Sequence, residues 1–217
     1  PGDKNSYKNT VKWLKNLRKE YKGKNVPLLP SALATITKAS LDYPREIVNE
    51  YLNLGLEGVH LRPVSPFGLS SRTKAEISYP PEEFISFYTR ALDYIIALNL
   101  KNKNFHERFA QIFLTKILTD RDPNYLDIRS PCGAGIGQLA YNFNGDIYTC
   151  DEARMLGRRQ DESFKLGNIK QGTYQEIING PVVKTMCIAS CLDNLAGCSH
   201  CLYKPYCGVC PVYNHAV

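Results

Sequence analysis

The chain has 217 residues, of which 43% are hydrophobic and 22% are charged. This composition supports a sizeable core and excludes disordered, collagen-like and coiled-coil proteins. The longest apolar runs reach about five residues, as in 94–98, and the first ten residues are polar, so neither a membrane span nor a secretory signal is predicted. We therefore expect one or two globular domains, no membrane partner and a cytoplasmic location.

The net charge of +6 is concentrated in residues 1–25, which carry seven Lys and one Arg against two acids. The apolar residues of this segment recur at helical spacing and predict an amphipathic helix over 6–22 with its lysines on the outer face. These apolar residues are Tyr7, Val11, Leu14, Leu17 and Tyr21. We interpret the charge as a solvated helix face and expect no nucleic-acid partner.

Helices and strands alternate after this segment. The predicted elements are a strand over 31–37, a helix over 42–54, a strand over 58–62, and helices over 81–100 and 105–118. In the helix over 42–54, Asp42 is the expected N-cap, Pro44 lies in the first turn and Gly55 ends the helix. The long helix is expected to present one apolar face, made of Phe84, Tyr88, Leu92, Ile95 and Ile96.

This alternation is typical of parallel βαβ architecture. Two parallel strands alone would leave edges unpaired and an apolar face uncovered. We therefore expect the chain to be a fragment whose earlier strands lie upstream.

All eight cysteines lie after residue 131. This break in composition predicts a boundary near Ser130, with one domain over 1–129 and a second over 130–217. Disulfides remain an open alternative, but the missing export signal and the dense spacing favour metal or cluster ligation. The cysteines are Cys132, Cys150, Cys187, Cys191, Cys198, Cys201, Cys207 and Cys210.

The second domain begins with a predicted β-hairpin over 138–148 that turns at Asn144-Gly145. Cys150 follows the hairpin and Cys132 precedes it, so the two thiolates can meet at one end of the strands. A short helix is predicted over 173–179, and the remaining cysteines follow in a turn-rich tail.

Thiolates select zinc or iron-sulfur clusters, and eight of them supply two four-cysteine sites. Only five residues separate the pair Cys198-x2-Cys201 from the pair Cys207-x2-Cys210. This spacing is nearer that of cluster proteins than that of a zinc ribbon. A non-catalytic binding module with two structural zinc sites remains the alternative.

The series Cys132-x12-Gly145-x4-Cys150 and Cys198-x2-Cys201-x5-Cys207-x2-Cys210 resembles the SPASM motif of radical SAM peptide-maturing enzymes. Segments such as GVHLRPVSPFG and PCGAGIGQLAYNFNGDIYTCDEARM are similar in particular to the maturase of the His-Xaa-Ser peptide system, over nearly the whole chain. The resemblance implies an α/β fold: the C-terminal part of a partial (βα)6 radical SAM barrel, followed by a cysteine-rich SPASM domain with a β-hairpin.

The resemblance also implies the function of a whole oxidoreductase of which this chain is a part. That enzyme would bind S-adenosylmethionine, two auxiliary [4Fe-4S] clusters, a precursor peptide or protein, and an electron donor such as flavodoxin or ferredoxin. By the same resemblance, one auxiliary cluster is held by Cys132, Cys150 and Cys210, and the other by Cys198, Cys201 and Cys207.

This sequence departs from the family pattern in three ways. The CxxxCxxC motif that holds the SAM-cleaving cluster is absent, so the chain alone is expected to be inactive. The last cysteine pair has x2 spacing instead of x3, and the family's final cysteine would lie beyond Val217. We expect Cys191 to serve as a further metal ligand, with Cys187 as the alternative.

Asp151 directly follows Cys150, and in related maturases an aspartate at this position is the proposed general base. The resemblance thus implies a catalytic role for Asp151, and an ion pair with Arg154 on the surface is the alternative. Strand ends carry ligand contacts in barrel enzymes. We therefore expect Arg62, and less directly Thr35 and Thr37, to contact S-adenosylmethionine or the peptide.

Overall fold

The structure is a computed structural model that describes residues 5–25, 30–67 and 73–216. The chain divides into two compact units, the first within 1–64 and 73–111 and the second within 65–72 and 112–217. Across the described ranges, no helix is both long and apolar enough to span a membrane. The boundary expected near Ser130 lies inside the second unit, and the division into domains over 1–129 and 130–217 stays a prediction.

The first unit contains short parallel strands that alternate with helices, which confirms the expected α/β character. β1 pairs with β3 and β2 pairs with β4, both in parallel. Only His60 separates β2 from β3, so one segment of chain pairs with both β1 and β4. The strands are β1 (Ala34–Ile36), β2 (Gly58–Val59), β3 (Leu61–Pro63) and β4 (His106–Glu107).

Two of the helices in this part of the chain begin with proline. Pro44 and Pro81 open α2 and α4, where the missing N–H costs no intrahelical hydrogen bond. Gly55 follows α2 with φ +71°, as expected for the residue that ends a helix. The prediction of Asp42 as the N-cap is wrong, since Tyr43 takes that position without a side-chain cap. The helices are α1 (Ser6–Tyr21), α2 (Pro44–Asn53), α3 (Lys74–Ile77), α4 (Pro81–Asn99) and α5 (Arg108–Leu118).

The long helix α4 packs against α2, but with a different face from the one predicted. Its buried residues are Phe87, Ala91, Ile95 and Leu98. Of the predicted face, Ile95 is buried while Ile96 is 49% exposed. Apolar residues lie on more than one side of this helix, so periodicity alone cannot choose among them. The choice is made by contact with fully buried neighbours such as Val48 of α2 and Leu61 of β3.

A buried carboxylate connects three elements of the first unit. Glu107, only 2% exposed, accepts hydrogen bonds from the Leu61 backbone N–H (3.1 Å), the Ala110 backbone N–H (2.8 Å) and the Tyr88 hydroxyl (2.5 Å). Burial raises the pKa of Tyr88 well above its usual range, and the bond to Glu107 adds to this rise. The helix predicted from residue 105 begins instead at Arg108, because His106 and Glu107 pair with β2.

The basic helix α1 forms as predicted, but most of its apolar residues stay accessible. Leu14 is buried, whereas Tyr7 is 59% and Leu17 is 42% exposed. Arg18 fixes the helix in place because its guanidinium donates to the carbonyl oxygens of Pro30 and Gly55, each over 2.9 Å.

The second unit contains an antiparallel sheet in the order β5-β6-β7. The predicted hairpin is confirmed as β5 (Ala140–Tyr141) and β6 (Asp146–Tyr148). The third strand, β7 (Lys165–Asn168), was not predicted, because KLGN shows no alternation of apolar and polar residues. Pairing with the fully buried β6 is what makes it a strand.

The tail of the second unit is more helical than expected. The predicted short helix is confirmed as α7, where Thr173 and Glu176 form a reciprocal capping box. The expected turn-rich tail begins only at residue 191, because Val183, Met186 and Ser190 line a buried stripe of a ten-residue helix, α8. The helices are α6 (Asp151–Gly157), α7 (Tyr174–Ile178), α8 (Pro181–Ser190) and α9 (Pro211–Ala216).

Candidate metal centre

Three cysteines that are far apart in sequence lie together in the second unit: Cys132, Cys150 and Cys210, here called the first cysteine group. Cys150 is 3% exposed and belongs to an apolar cluster with Tyr148 and Met186, and both other cysteines pack against that cluster. All eight cysteines of the chain are free thiols in the structure. The fold therefore brings the two ends of the hairpin segment and the tail to one apolar cluster, and shared ligation by these three residues stays a prediction.

Two members of the first cysteine group lie directly before helices. The sulfur of Cys150, the N-cap of α6, accepts the backbone N–H of Ala153 over 3.4 Å. The sulfur of Cys210, just before α9, accepts the backbone N–H of Tyr213 over 3.4 Å. Because N–H donors stabilise a thiolate, each sulfur is placed to carry negative charge.

Burial works against that charge when no metal is bound. It raises the pKa of Cys150 to about 12, and burial is also the first cause of the raised pKa values of Cys132 and Cys210. The charges of neighbouring thiolates add to the rise, since Cys210 acts on Cys150 and Cys132 acts on Cys210. The three groups are therefore thiols at neutral pH, and metal binding must release their protons.

The Glu152 carboxylate acts on all three thiols. Its charge raises the pKa of Cys132, Cys150 and Cys210 alike. Asp151, the predicted base, is 55% exposed, and its Oδ1 accepts from Arg154 over 2.6 Å. This is the ion pair with Arg154 that the alternative interpretation expects. A catalytic role for Asp151 stays a prediction. Only the fold determines which of two adjacent helical carboxylates turns toward the thiols.

The helix α8 lies beside the same cysteines. The backbone N–H of Cys132 donates to the Ser190 hydroxyl over 2.9 Å. The charge of Cys187 is among the causes that raise the pKa of Cys132. Cys191, the expected further ligand, follows the end of α8 in an extended conformation, and its ligation also stays a prediction.

The other three cysteines of the motif, Cys198, Cys201 and Cys207, are here called the second cysteine group. Cys198 and Cys201 share a turn in which the Cys201 N–H donates to the Cys198 carbonyl oxygen over 3.1 Å. Cys201 and Cys207 are exposed. Within the described ranges, no three His, Cys, Asp or Glu side chains are arranged to hold a single metal ion, and the predicted ligand sets stay predictions.

The predicted ligand contacts of the first unit lie on neighbouring strands. Thr35 of β1 and Arg62 of β3 are register partners, so the two side chains stand next to each other across the strand pair. Thr37 follows β1 and caps a 3-10 helix, Lys38–Ser40, through its contact with the Ser40 hydroxyl over 3.2 Å. Their role in binding S-adenosylmethionine stays a prediction.

A protein-family comparison agrees with the cysteine pattern. Residues 132–211 match the SPASM family model, an iron-sulfur cluster-binding domain. The match contains the first and second cysteine groups together with Cys187 and Cys191. No curated protein matches the chain in sequence.

Solved structures share the fold of nearly the whole chain. Native anSMEcpe with bound AdoMet aligns with a TM-score of 0.69 and 17% identity, covering 92% of this chain and 51% of that one. Native anSMEcpe with bound AdoMet and Kp18Cys peptide aligns with a TM-score of 0.68 at the same identity and the same coverage. This chain thus spans about half the length of these relatives, and the likeness shows a shared fold.

The first cysteine group fits an iron-sulfur cluster in its donor chemistry. Three thiols meet at one apolar cluster, two of them receive backbone N–H groups, and none is used in a disulfide. Thiolates are the usual protein ligands of such clusters. The chain therefore supplies three sulfur ligands of the required type at this place.

Proposed function

We propose that this chain is the auxiliary-cluster portion of a radical SAM enzyme that modifies a ribosomally made peptide or protein. The observation that carries the proposal is the convergence of Cys132, Cys150 and Cys210 on one apolar cluster, within the part of the chain that matches an iron-sulfur cluster-binding family. The whole enzyme is an oxidoreductase of the cytoplasm that takes electrons from a flavodoxin or ferredoxin.

In this proposal the first cysteine group holds one auxiliary [4Fe-4S] cluster and the second cysteine group holds another, with Cys191 as a further ligand. When bound, such a cluster supplies an anchor for the substrate or an acceptor for an electron. Burial of Cys150 and its apolar neighbours would keep the cluster of the first cysteine group away from bulk water.

The substrate half of the proposal is a precursor peptide, of the His-Xaa-Ser type by the resemblance of the sequence segments. A related structure carries both AdoMet and a bound peptide, which supports a peptide substrate here. Asp151 is the proposed base, and Arg62, Thr35 and Thr37 are the proposed contacts to S-adenosylmethionine or peptide.

Elemental analysis of anaerobically prepared and reconstituted protein tests the cluster proposal. We expect about eight iron and eight sulfide per chain and a brown colour, from two four-iron clusters. The triple substitution Cys132→Ala, Cys150→Ala and Cys210→Ala should remove about half of the iron. Two colourless zinc ions per chain with no sulfide would instead indicate the structural zinc module.

A further inference from the structure

We propose that Cys187 is the fourth thiolate ligand of the first cysteine group. The inference rests on the proposed function, because a cluster of four irons takes four protein ligands and Cys132, Cys150 and Cys210 provide three. It assigns the missing ligand to helix α8, outside the spacing pattern of the sequence.

Two contacts fix α8 against the segment that begins at Cys132. At one end of the helix, Ser190 accepts the Cys132 N–H over 2.9 Å. At the other, Val183 packs on Gly135 so closely that a Cβ on that glycine would lie 3.2 Å from the Val183 Cγ2. The helix therefore runs antiparallel to residues 132–135, with Ser190 at the cysteine and Val183 at the glycine.

Cys187 lies between these two contacts on the same side of α8. It follows Val183 by four residues and precedes Ser190 by three, and both spacings place side chains on one helix face. Its neighbour Met186 is 2% exposed and belongs to the same apolar cluster as Cys150. The helix thus carries the Cys187 sulfur to the level of residues 132–135, beside the first cysteine group.

Cys191 lies between Ser190 and Leu192, which are hydrogen-bonded to Cys132 and Ser130. It lies beyond α8 in an extended conformation, φ −75° and ψ 108°, where successive side chains point to opposite sides. Its neighbours Ser190 and Leu192 are 0% and 1% exposed, while Cys191 is partly buried, as is Cys187.

Double variants assign Cys187 to one site. Iron, sulfide and the electron paramagnetic resonance signal of the dithionite-reduced protein are measured after anaerobic reconstitution. Cys187→Ala should lower iron to about half of the wild-type value or change the signal of one cluster. Combined with Cys132→Ala, it should remove no more iron than Cys132→Ala alone, because both residues hold the same cluster. Combined with Cys198→Ala, it should remove nearly all iron.

A measurement on the wild-type chain avoids the risk that a variant misfolds. Native alkylation followed by peptide mass mapping should label Cys187 in the iron-free protein. In the loaded protein the labelled fraction of Cys187 should be at least tenfold lower.

The outcomes separate this inference from the proposed function. If the wild-type chain binds iron and sulfide but Cys187→Ala leaves the iron content and the signal unchanged, the role of Cys187 is overturned. The proposed function still stands in that case. The same holds if Cys187→Ala is additive with Cys132→Ala but not with Cys198→Ala. A wild-type chain that binds no iron and sulfide overturns both.

Discussion

The backbone N–H of Cys132 donates a hydrogen bond to the hydroxyl oxygen of Ser190 over 2.9 Å, although 58 residues separate them in sequence. Ser190 is fully buried, and its hydroxyl donates in turn to the carbonyl oxygen of Met186 over 2.6 Å. The Ser190 side chain thus connects the start of the hairpin segment to α8. These two elements carry Cys132 and Cys187, which we place at one cluster.

Ser190→Ala should lower the free energy of unfolding by about 1–3 kcal/mol, the usual cost of leaving a buried donor without its acceptor. Urea denaturation followed by circular dichroism measures the change. The control is Ser199→Ala, whose hydroxyl makes an exposed hydrogen bond over a long 3.4 Å, where we expect a change within about 0.5 kcal/mol. Equal stability of the two variants would show that the Ser190 hydroxyl is not needed.

Gly145→Ala should also destabilise the second unit. Gly145 has φ +88°, and a Cβ there would lie 2.9 Å from the Ile169 Cγ1, so the substitution meets both backbone strain and a close contact. The left-handed conformation alone costs an L-residue about 1–2 kcal/mol. Gly197→Ala is the matched control, because nothing lies within 4 Å of its Cβ position. Thermal unfolding of both variants compares them, and an equal Tm would contradict the requirement for glycine at 145.

The Asp146 carboxylate should make stability depend on pH. Hydrogen bonds from Asn168 (2.9 Å) and Lys165 (3.1 Å) lower its pKa below the usual value. The stabilisation is therefore fully present above the unfolded pKa of about 3.9 and is lost as the pH falls through the lower folded value.

Asp146→Asn should thus lower the urea midpoint at pH 7, and its difference from wild type should shrink below about pH 4. Asp120→Asn, at an exposed residue, controls for the removal of one negative charge. A difference from wild type that stays constant down to pH 3 would be inconsistent with a lowered pKa of Asp146.

Asp151→Asn tests the proposed base in a full-length enzyme that contains the CxxxCxxC motif. Cluster content and uncoupled cleavage of S-adenosylmethionine should stay at wild-type values, while peptide modification falls by roughly 10²-fold or more, the scale for loss of general base catalysis. Glu152→Gln is the comparison, because Glu152 acts on the thiols while Asp151 pairs with Arg154. If modification is lost in Glu152→Gln and kept in Asp151→Asn, the base is Glu152.

The chain alone should not cleave S-adenosylmethionine. Its sequence has no CxxxCxxC, and the nearest series, Cys187-x3-Cys191, has Asn194 where the third cysteine would stand. After reconstitution and reduction with dithionite, we expect no 5′-deoxyadenosine above a protein-free blank. Product from the chain alone would mean that one of its own cysteine groups binds and cleaves the cofactor.

Local signals in the sequence predicted the features that depend on neighbouring residues. The turn of the hairpin at Gly145 and the capping box of Thr173 and Glu176 are made by residues a few positions apart. The hairpin likewise predicted that Cys132 and Cys150 lie at one end of the two strands, and both belong to or pack against one apolar cluster.

Only the tertiary structure decided the features that depend on contacts between distant segments. β7 is a strand because β6 pairs with it, and α4 turns Phe87 inward because α2 covers that face. At the candidate centre, the position of Cys187 follows from the bond between Ser190 and Cys132, and the orientation of Glu152 follows from where α6 starts after Cys150. Side chains one residue apart on a helix differ by about 100° in direction. The sequence of a helix does not show which of its side chains contacts a residue 58 positions away, as Ser190 contacts Cys132.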